Sequence, residues 1–359
     1  MKKNKNIFLK ILICGVILLF FSTFLQAKEF NFPLQKEFTL EEPLSLELDD
    51  PRGEIILESH NLNKIIIQTT KIVEAKDSQE AEYLAQKIRI DVEKAGALVR
   101  IKTKYQRTDR GGFWERLFTG KKSVEGYVSY HIFVPKDIRE ADVSVTSGEI
   151  RVFYLKGKLS LNVTSGDIEL AGVEGEISSS ATSGNIQARD LKGKISLEGT
   201  SSDMQVKNLE GNLSIDCTSG TVNIEECKGS LNSSQTSGDL EGRGLKGDIS
   251  ITTTSGDVSV EQTDGGLDLN STSGNLEAKT QIVPSKNYYL KTTSGEVYLS
   301  ISKGAQSDLK LETTSGEISL NLPMVLKTAS RYSLTGKLGS GGAKIEIETV
   351  SGDINIEEF

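Results

Sequence analysis

Hydrophobic and polar residues alternate in short runs over most of the chain after residue 145. In one stretch, the alternation selects five apolar residues as inward-facing: Leu191, Ile195, Leu197, Met204 and Val206. In a later stretch, it selects five more at similar positions: Leu245, Ile249, Ile251, Val258 and Val260. Alternation with a period of two is typical of strands that bury one face. Each stretch therefore predicts two short strands, with a Ser-Gly bend at one corner and a Lys/Glu-Gly bend at the other.

These stretches are copies of one repeat, which is marked by a phrase of the type Thr-Ser-Gly-Asp-Ile. The phrase starts at eight threonines spaced eighteen residues apart: Thr146, Thr164, Thr182, Thr200, Thr218, Thr236, Thr254 and Thr272. Further copies start at Thr293 and Thr314, each after twenty-one residues, and at Val350 after thirty-six. A strict period of this length is typical of stacked supersecondary units. Because eighteen residues leave no room for a crossover helix, equivalent strands are expected to pair in parallel. The sequence thus predicts an all-β fold, a parallel β-solenoid (β-helix) with coils of about eighteen residues.

Each residue of the phrase has a local reason to occupy a bend. Glycine permits the positive φ that a sharp corner needs, while Ser and Asp bond back to nearby amides. The coil that starts at Thr200 has Ser202 instead of the glycine, so its corner is expected to be strained or reshaped. The position after the glycine of the phrase is mostly acidic, for example Asp167 and Asp239, and stacks from coil to coil. Such a ladder of carboxylates is able to bind Ca²⁺. Asn and Thr interrupt this ladder, which favours a solvated corner without a metal.

Residues 28–140 differ in pattern from the array at residues 141–359. They combine strand-like runs with one short helical segment, Ser78 to Lys87, whose apolar residues share one face. We expect this β-rich capping section to start the stack and to cover its first edge, an open template for pairing. The array closes with strand-like residues 344–348 and 351–356, after which no further strand follows. An open edge there predicts weak end-to-end self-association.

The first residues have the three-part pattern of a secretory signal peptide. Lysines precede a mostly apolar run from Ile11 to Leu25, and Ala27 provides a small residue for cleavage. Such a run is short for a membrane span, which needs about twenty residues. We expect residues 1–27 to be removed on export, with an uncleaved N-terminal anchor as the alternative. The predicted location is the periplasm, the cell surface or the extracellular space.

Composition and motifs offer little support for catalysis or for a cofactor. The formal net charge of -8 argues against nucleic acid, whose phosphates require clustered Lys and Arg. His60 and His131 have no Cys, Glu or His at ligand spacing, so both are expected to be structural. Cys217 and Cys227 fall on inward positions, and two buried thiols are favoured over a bridge because opposite faces lie ~10 Å apart. The serines belong to repeated turns, without the Gly-x-Ser-x-Gly pattern of a nucleophile elbow.

The loop at residues 107–123 is the most individual feature of the chain. Its candidate contact residues for a partner or a membrane combine an apolar helical face with two lysines: Phe113, Trp114, Leu117, Phe118, Lys121 and Lys122. Basic residues outnumber acidic ones in this loop, which suggests contact with lipid head groups or an acidic partner. The favoured alternative is that the aromatic side chains plug the first coil of the solenoid.

Several motifs together resemble the DUF4097 family, which is usually described as a family of candidate adhesins. They are an early Gly-Glu-Ile-Ile, the Ile-Phe-Val-Pro strand at residues 132–135, the repeated phrase, and the closing Gly-Ser-Gly-Gly at residues 339–342. The resemblance covers residues 30–359, and the head-GIN β-helix family is also similar. It implies a solenoid fold and an adhesin-like role, although the motifs themselves are corner and core residues.

The sequence therefore predicts an exported, non-catalytic cell-envelope protein that binds no cofactor or metal. Its ladder surface is expected to support adhesion or scaffolding through protein or glycan contacts. One alternative is a self-assembling structural element of the envelope. A less favoured alternative is a polysaccharide-active β-helix enzyme, which would need one distinctive cluster of carboxylates or basic residues. Here the acidic positions repeat from coil to coil, and repeated residues are usually architectural.

Overall fold

A computed structural model describes residues 28–106 and 126–359 of the chain. The chain forms two compact units. One contains Thr70–Arg89, and the other contains Leu34–Thr69, Ile90–Lys104 and Val128–Phe359. Over these described ranges, no helix is long and apolar enough to cross a membrane.

The secondary structure consists almost entirely of strands. In chain order they are β1 Lys28–Thr39, β2 Ser45–Asp50, β3 Gly53–His60, β4 Lys64–Ala75, β5 Ile88–Ala95, β6 Leu98–Tyr105, β7 Gly126–Pro135, β8 Asp137–Ser147, β9 Ile150–Phe153, β10 Lys156–Ser165, β11 Ile168–Ala171, β12 Glu174–Ser183, β13 Ile186–Ser201, β14 Met204–Ser219, β15 Val222–Lys228, β16 Leu231–Ser237, β17 Leu240–Lys246, β18 Ile249–Ser255, β19 Val258–Asp264, β20 Leu267–Ser273, β21 Leu276–Thr280, β22 Asn287–Ser294, β23 Val297–Ile301, β24 Ser307–Ser315, β25 Ile318–Asn321, β26 Met324–Ala329, β27 Ser333–Leu338, β28 Ala343–Ser351 and β29 Ile354–Glu358. A single helix among the described residues, α1, spans Ser78–Lys87.

Helix α1 has the bounds that the sequence predicts. Its N-cap is Asp77, whose side chain accepts a hydrogen bond of 2.8 Å from the amide of Glu80 and so satisfies one free amide of the first turn. Ala81 and Ala85 form its buried face. At the other end, the Lys71 ammonium donates to the carbonyl of Ala85 at 3.1 Å. Partial burial lowers the pKa of Lys71.

Two ladders of parallel strands run through the larger unit, and each coil contributes one strand to each ladder. The first ladder has the order β6, β2, β8, β10, β12, β13, β14, β16, β18, β20, β22, β28, β24. The second ladder has the order β7, β3, β9, β11, β13, β14, β15, β17, β19, β21, β23, β29, β25. β13 and β14 are long and bend through both ladders. The predicted parallel β-solenoid is confirmed.

The core lies between the two ladders, where the register stacks equivalent apolar residues. One column in the first ladder consists of residues that are at most 3% exposed: Leu159, Ile177, Ile195, Leu213, Leu231, Ile249 and Leu267. Burial of each such side chain contributes about 1.5–3 kcal/mol. All ten residues that the alternation selects as inward-facing are buried.

The glycine corner brings the backbones of neighbouring coils into direct contact. Gly238 has a φ of 118°, and a Cβ atom there would lie 2.0 Å from the carbonyl oxygen of Gly220 in the preceding coil. Glycine is thus required for close approach as well as for its φ. Ser202 replaces glycine in this column but is not among the residues with positive φ. Its hydroxyl donates to the carbonyl of Ala181 at 3.1 Å, so this corner is reshaped.

The acidic position after the glycine has a structural role. An oxygen of Asp167 accepts the amide of Asn185 at 2.7 Å, and an oxygen of Asp203 accepts the amide of Thr221 at 2.8 Å. Asp239 does the same for the equivalent residue of the next coil. These side chains therefore link successive coils by charge-assisted hydrogen bonds.

At the C-terminal side, the order of coils in the stack differs from their order in the chain. β28 pairs with β22 on one side and with β24 on the other, and β29 pairs likewise with β23 and β25. The prediction that residues 344–356 form an open edge is wrong. The chain passes over one coil position between β23 and β24, and the later strands return to fill it. β27 covers the outer edge of β24 in antiparallel orientation and also pairs with β26.

A similar rearrangement occurs near the other end of the stack. β2 lies between β6 and β8, and β3 lies between β7 and β9. Strands from before residue 140 thus continue the ladders of the array. The predicted boundary at that residue stays a prediction.

Candidate functional site

The outward face of the second ladder carries a cluster of aromatic and ionised side chains on its first strands. We call it the aromatic face and define it by His131 and Phe133 on β7, Glu58 on β3, and Arg151 and Phe153 on β9. The register places Glu58 opposite Phe133 on one side and opposite Phe153 on the other. Since neighbouring strands lie ~4.8 Å apart, two aromatic rings flank one carboxylate on adjacent strands.

His131 joins the aromatic and acidic parts of this face. Its Nε2 atom lies 2.9 Å from an oxygen of Glu58. Its ring centroid lies 4.1 Å from that of Phe133, with the planes tilted by 33°. The ring of His60 meets Phe133 edge-on, with centroids 6.5 Å apart. These contacts hold Phe133 in one orientation while leaving it half-buried.

Arg151 orders the acidic side of the face. Its Nη2 atom donates to Glu54 at 2.7 Å and to Glu149 at 2.6 Å. The hydrogen bond that Arg151 donates to Glu149 is the main reason that the pKa of Arg151 is raised further, so the guanidinium is charged at any physiological pH. Both carboxylates remain partly exposed and retain lone pairs for another donor.

Tyr154 extends the aromatic face beyond Phe153, its neighbour in the chain. It is 61% exposed, and its ring centroid lies 6.5 Å from that of Phe153. The backbone of Tyr154 adopts a φ of 58°, which is costly for an L residue other than Asn or Asp. Its ring lies over Gly172, where a Cβ atom would come within 2.6 Å of the tyrosine. The glycine one coil later therefore makes room for the exposed ring.

The next coils of the second ladder lack these aromatic side chains. The positions equivalent to Phe153 are Ala171 on β11 and Arg189 on β13. A groove of about 410 Å³ follows, with Lys207 and Glu225 among its lining residues. These two side chains form an ion pair of 2.8 Å between adjacent coils. The groove thus has both donors and acceptors but little net charge.

The residues singled out from the sequence have different positions. The loop residues Phe113, Trp114, Leu117, Phe118, Lys121 and Lys122 lie outside the described residues, as does the predicted signal peptide. Cys217 and Cys227 are buried and unbridged, which confirms the favoured interpretation. Burial raises the pKa of Cys227 to about 11, so its thiol is protonated at neutral pH. Within the described part of the chain, no group of three or more His, Cys, Asp or Glu residues could hold a metal ion.

Sequence reasoning missed the aromatic face. It treated His131 as an isolated structural residue, because its partner Glu58 is 73 residues away in the chain. A signal was present nevertheless. The alternation assigns Phe133 and Phe153 to outward positions, whereas the next coils carry Ala171 and Arg189 there.

Comparison with known proteins gives one family match. The family model described as Toastrack DUF4097 matches residues 173–280 and 246–357. A search of curated proteins finds no match. Solved structures that are similar include a candidate adhesin from Parabacteroides merdae, with 12% identity, 90% of this chain and 96% of that chain covered, and a TM-score of 0.33. A candidate lipid-binding protein from Parabacteroides distasonis has the same identity and coverage, with a TM-score of 0.30. Scores this low transfer no ligand to this chain.

Proposed function

The chain belongs to the Toastrack DUF4097 family, and from that premise we propose that it is an exported, non-catalytic, adhesin-like protein of the cell envelope. We propose further that it binds glycans through the aromatic face. Export rests on the signal-peptide pattern of residues 1–27. Binding rests on the outward face of the second ladder.

One observation supports a glycan as the ligand. Phe133 and Phe153 lie on either side of Glu58, and Arg151 lies one alternation step away on the same outward face. A sugar ring has an apolar C–H face, which stacks on an aromatic ring, and a rim of hydroxyl groups, which bond to carboxylates and guanidinium groups. Ligand sites usually combine an apolar surface with a few placed polar groups in this way.

The remainder of the ladder suits a polymeric ligand. A chain of sugars held at the aromatic face would continue along the outward face into the groove lined by Gln205 and Asn223. Amide side chains there provide both donors and acceptors for hydroxyl groups. Each further contact adds to the affinity without demanding a deep pocket, as expected for a protein that attaches to a surface.

Binding of isolated cell-wall and capsular polysaccharides to the full exported chain tests the proposal. Phe133→Ala and Phe153→Ala should each weaken binding at least ten-fold, because each removes one stacking ring. Tyr289→Ala serves as the matched control, since Tyr289 is a half-buried aromatic residue of β22 in the first ladder. Equal binding by all three variants would contradict the assignment. A ligand destroyed by protease would indicate a protein partner.

Location needs a separate experiment. Fractionation of cells, followed by protease treatment of intact cells, distinguishes a surface protein from a periplasmic one. Recovery of the chain with residues 1–27 still attached in the cytoplasmic fraction would contradict export.

A further inference from the structure

Glu58 lies at the centre of the aromatic face, with an aromatic residue on the neighbouring strand at either side. The register places it beside Phe133 of β7 and beside Phe153 of β9. All three side chains are on the outward face and are half-buried. Because 38% of the Glu58 side chain is exposed, its carboxylate is open to a ligand that approaches from solvent.

Glu58 differs from the other acidic residues of this face in its partners. Glu54 and Glu149 both pair with the guanidinium of Arg151. Glu58 contacts only the ring of His131, whose Nε2 atom lies 2.9 Å from one carboxylate oxygen, and it has no Lys or Arg partner among the described residues. A permanently charged cation is therefore the group that would complete its surroundings.

The charge around Glu58 also favours a cationic ligand. On β7, β3, β9 and the residue before β9, three carboxylates accompany one guanidinium group, an excess of two negative charges: Glu54, Glu58 and Glu149 against Arg151. Complementary charge attracts a partner to such a surface, and like charge repels it. A sugar with a carboxylate or sulfate group would be repelled here, whereas one with a charged amino group would be attracted.

The aromatic rings suit a cation as well. Neighbouring strands lie ~4.8 Å apart, so a cation held above Glu58 can approach a ring on each side to within ~6 Å. Aromatic faces attract cations at such distances, and quaternary ammonium groups are bound in this way by clusters of aromatic residues. Tyr154 adds an exposed ring, whose centroid lies 6.5 Å from that of Phe153.

We propose that the aromatic face binds a cationic amino group of the glycan, which pairs with Glu58 and lies between Phe133 and Phe153. This inference rests on the glycan binding proposed above and specifies the charge of the sugar. The ligand class is a polymer that carries free or methylated amino groups, in contrast to neutral and acidic polysaccharides.

Two oligosaccharides that share a backbone but differ in charge test the inference. They are chito-oligosaccharides of equal length, one fully N-acetylated and the other with trimethylammonium groups. Isothermal titration calorimetry with the full exported chain is done at about pH 7.5, where histidine is ordinarily neutral. The trimethylammonium form should bind at least ten-fold more tightly. Glu58→Gln should remove this preference and leave the affinity for the N-acetylated form unchanged, because glutamine keeps the shape and loses only the charge.

Glu277→Gln is the matched control, since Glu277 is an exposed residue of β21 on the outward face of the same ladder. An acidic protein attracts any polycation through its net charge. Both substitutions remove one negative charge, so a general attraction would fall equally in the two variants. A site at Glu58 requires that only Glu58→Gln removes the preference.

Several results would overturn the inference. They are equal affinity for the two oligosaccharides, no binding of either, an equal loss in the two variants, and tighter binding of polylysine with the same number of charges, which would assign the site to a protein partner. The glycan binding itself would survive the first three results if Phe133→Ala and Phe153→Ala still weakened binding of the cell-wall or capsular polysaccharides. It would fail together with the inference if those polysaccharides did not bind either.

Discussion

Replacement of Gly238 by alanine should destabilise the array more than its backbone angle alone suggests. The φ of 118° costs an L residue about 1–3 kcal/mol. In addition, the new methyl group would lie 2.0 Å from the carbonyl oxygen of Gly220, so one coil must shift away from the other. Forced overpacking of this kind costs about 1–3 kcal/mol more. We therefore expect the free energy of unfolding to fall by about 2–6 kcal/mol.

Gly244→Ala is the matched control for this substitution. Gly244 also has a positive φ, of 66°, but a Cβ atom there would lie no closer than 3.7 Å to its nearest neighbours, which is ordinary van der Waals contact. The control should thus show only the cost of the left-handed backbone, about 1–2 kcal/mol. The difference between the two variants isolates the close approach of the coils.

Urea unfolding, monitored by far-ultraviolet circular dichroism, measures the decrease in the free energy of unfolding for both variants. Long repeat arrays can unfold in parts, so hydrogen exchange of the coils around residue 238 should accompany it. Faster exchange should be confined to the coils next to the substitution. If Gly238→Ala costs no more than Gly244→Ala, the close approach of the two coils does not restrict the residue at position 238.

Three smaller changes test other local features. Glu226 has a φ of 57°, so Glu226→Gly should raise the free energy of unfolding by about 1 kcal/mol, and a decrease in urea melts would contradict this. Thr221→Asn should raise the free energy of unfolding by about 0.5–1.5 kcal/mol in the same assay. The new side-chain oxygen would accept the amide of Asp239, as Asp203 accepts the amide of Thr221. No gain would contradict a stabilising role for these hydrogen bonds between coils. Burial raises the pKa of Cys227 from an unfolded value near 8.5 to about 11. The contribution of this neutral buried thiol to the free energy of unfolding is therefore complete below pH ~8.5 and is lost as the pH rises to about 11. Cys227→Val should flatten the decline of stability in that range, and an unchanged slope would count against burial of the thiol.

The repeat made most of the fold predictable from the sequence. The spacing of Thr182 and Thr200 places Ile195 one coil after Ile177, and the structure pairs these two residues. Local chemistry is sufficient there, because the strands alternate and most Ser-Gly corners keep their glycine. The left-handed corner at Asp190 and Asn208 could not be predicted from the positions of glycine, because neither residue is a glycine. Asp and Asn nevertheless tolerate that conformation.

The order of coils could not be predicted in the same way. Strands that carry the same repeated phrase offer the same hydrogen-bonding pattern to any neighbouring strand. Thr349 of β28 therefore fits beside Thr292 as well as beside Thr313. Nothing local distinguishes these partners. The candidate site has a similar limit, because Glu58 and His131 meet only through the pairing of β3 with β7.

The enclosed coil at β28 and β29 changes how the stack can come apart. A simple solenoid frays from its ends, one coil after another, because each end coil is held by a single neighbour. Here strands β24 and β25, which lie beyond the enclosed coil in the stack, precede it in the chain. Withdrawal of that coil breaks contacts on both of its sides, and removal of β24 and β25 leaves it attached to β22 and β23. The enclosed coil should therefore open only after β24 and β25 have detached, so the amides of β28 and β29 should exchange more slowly than those of β24 and β25.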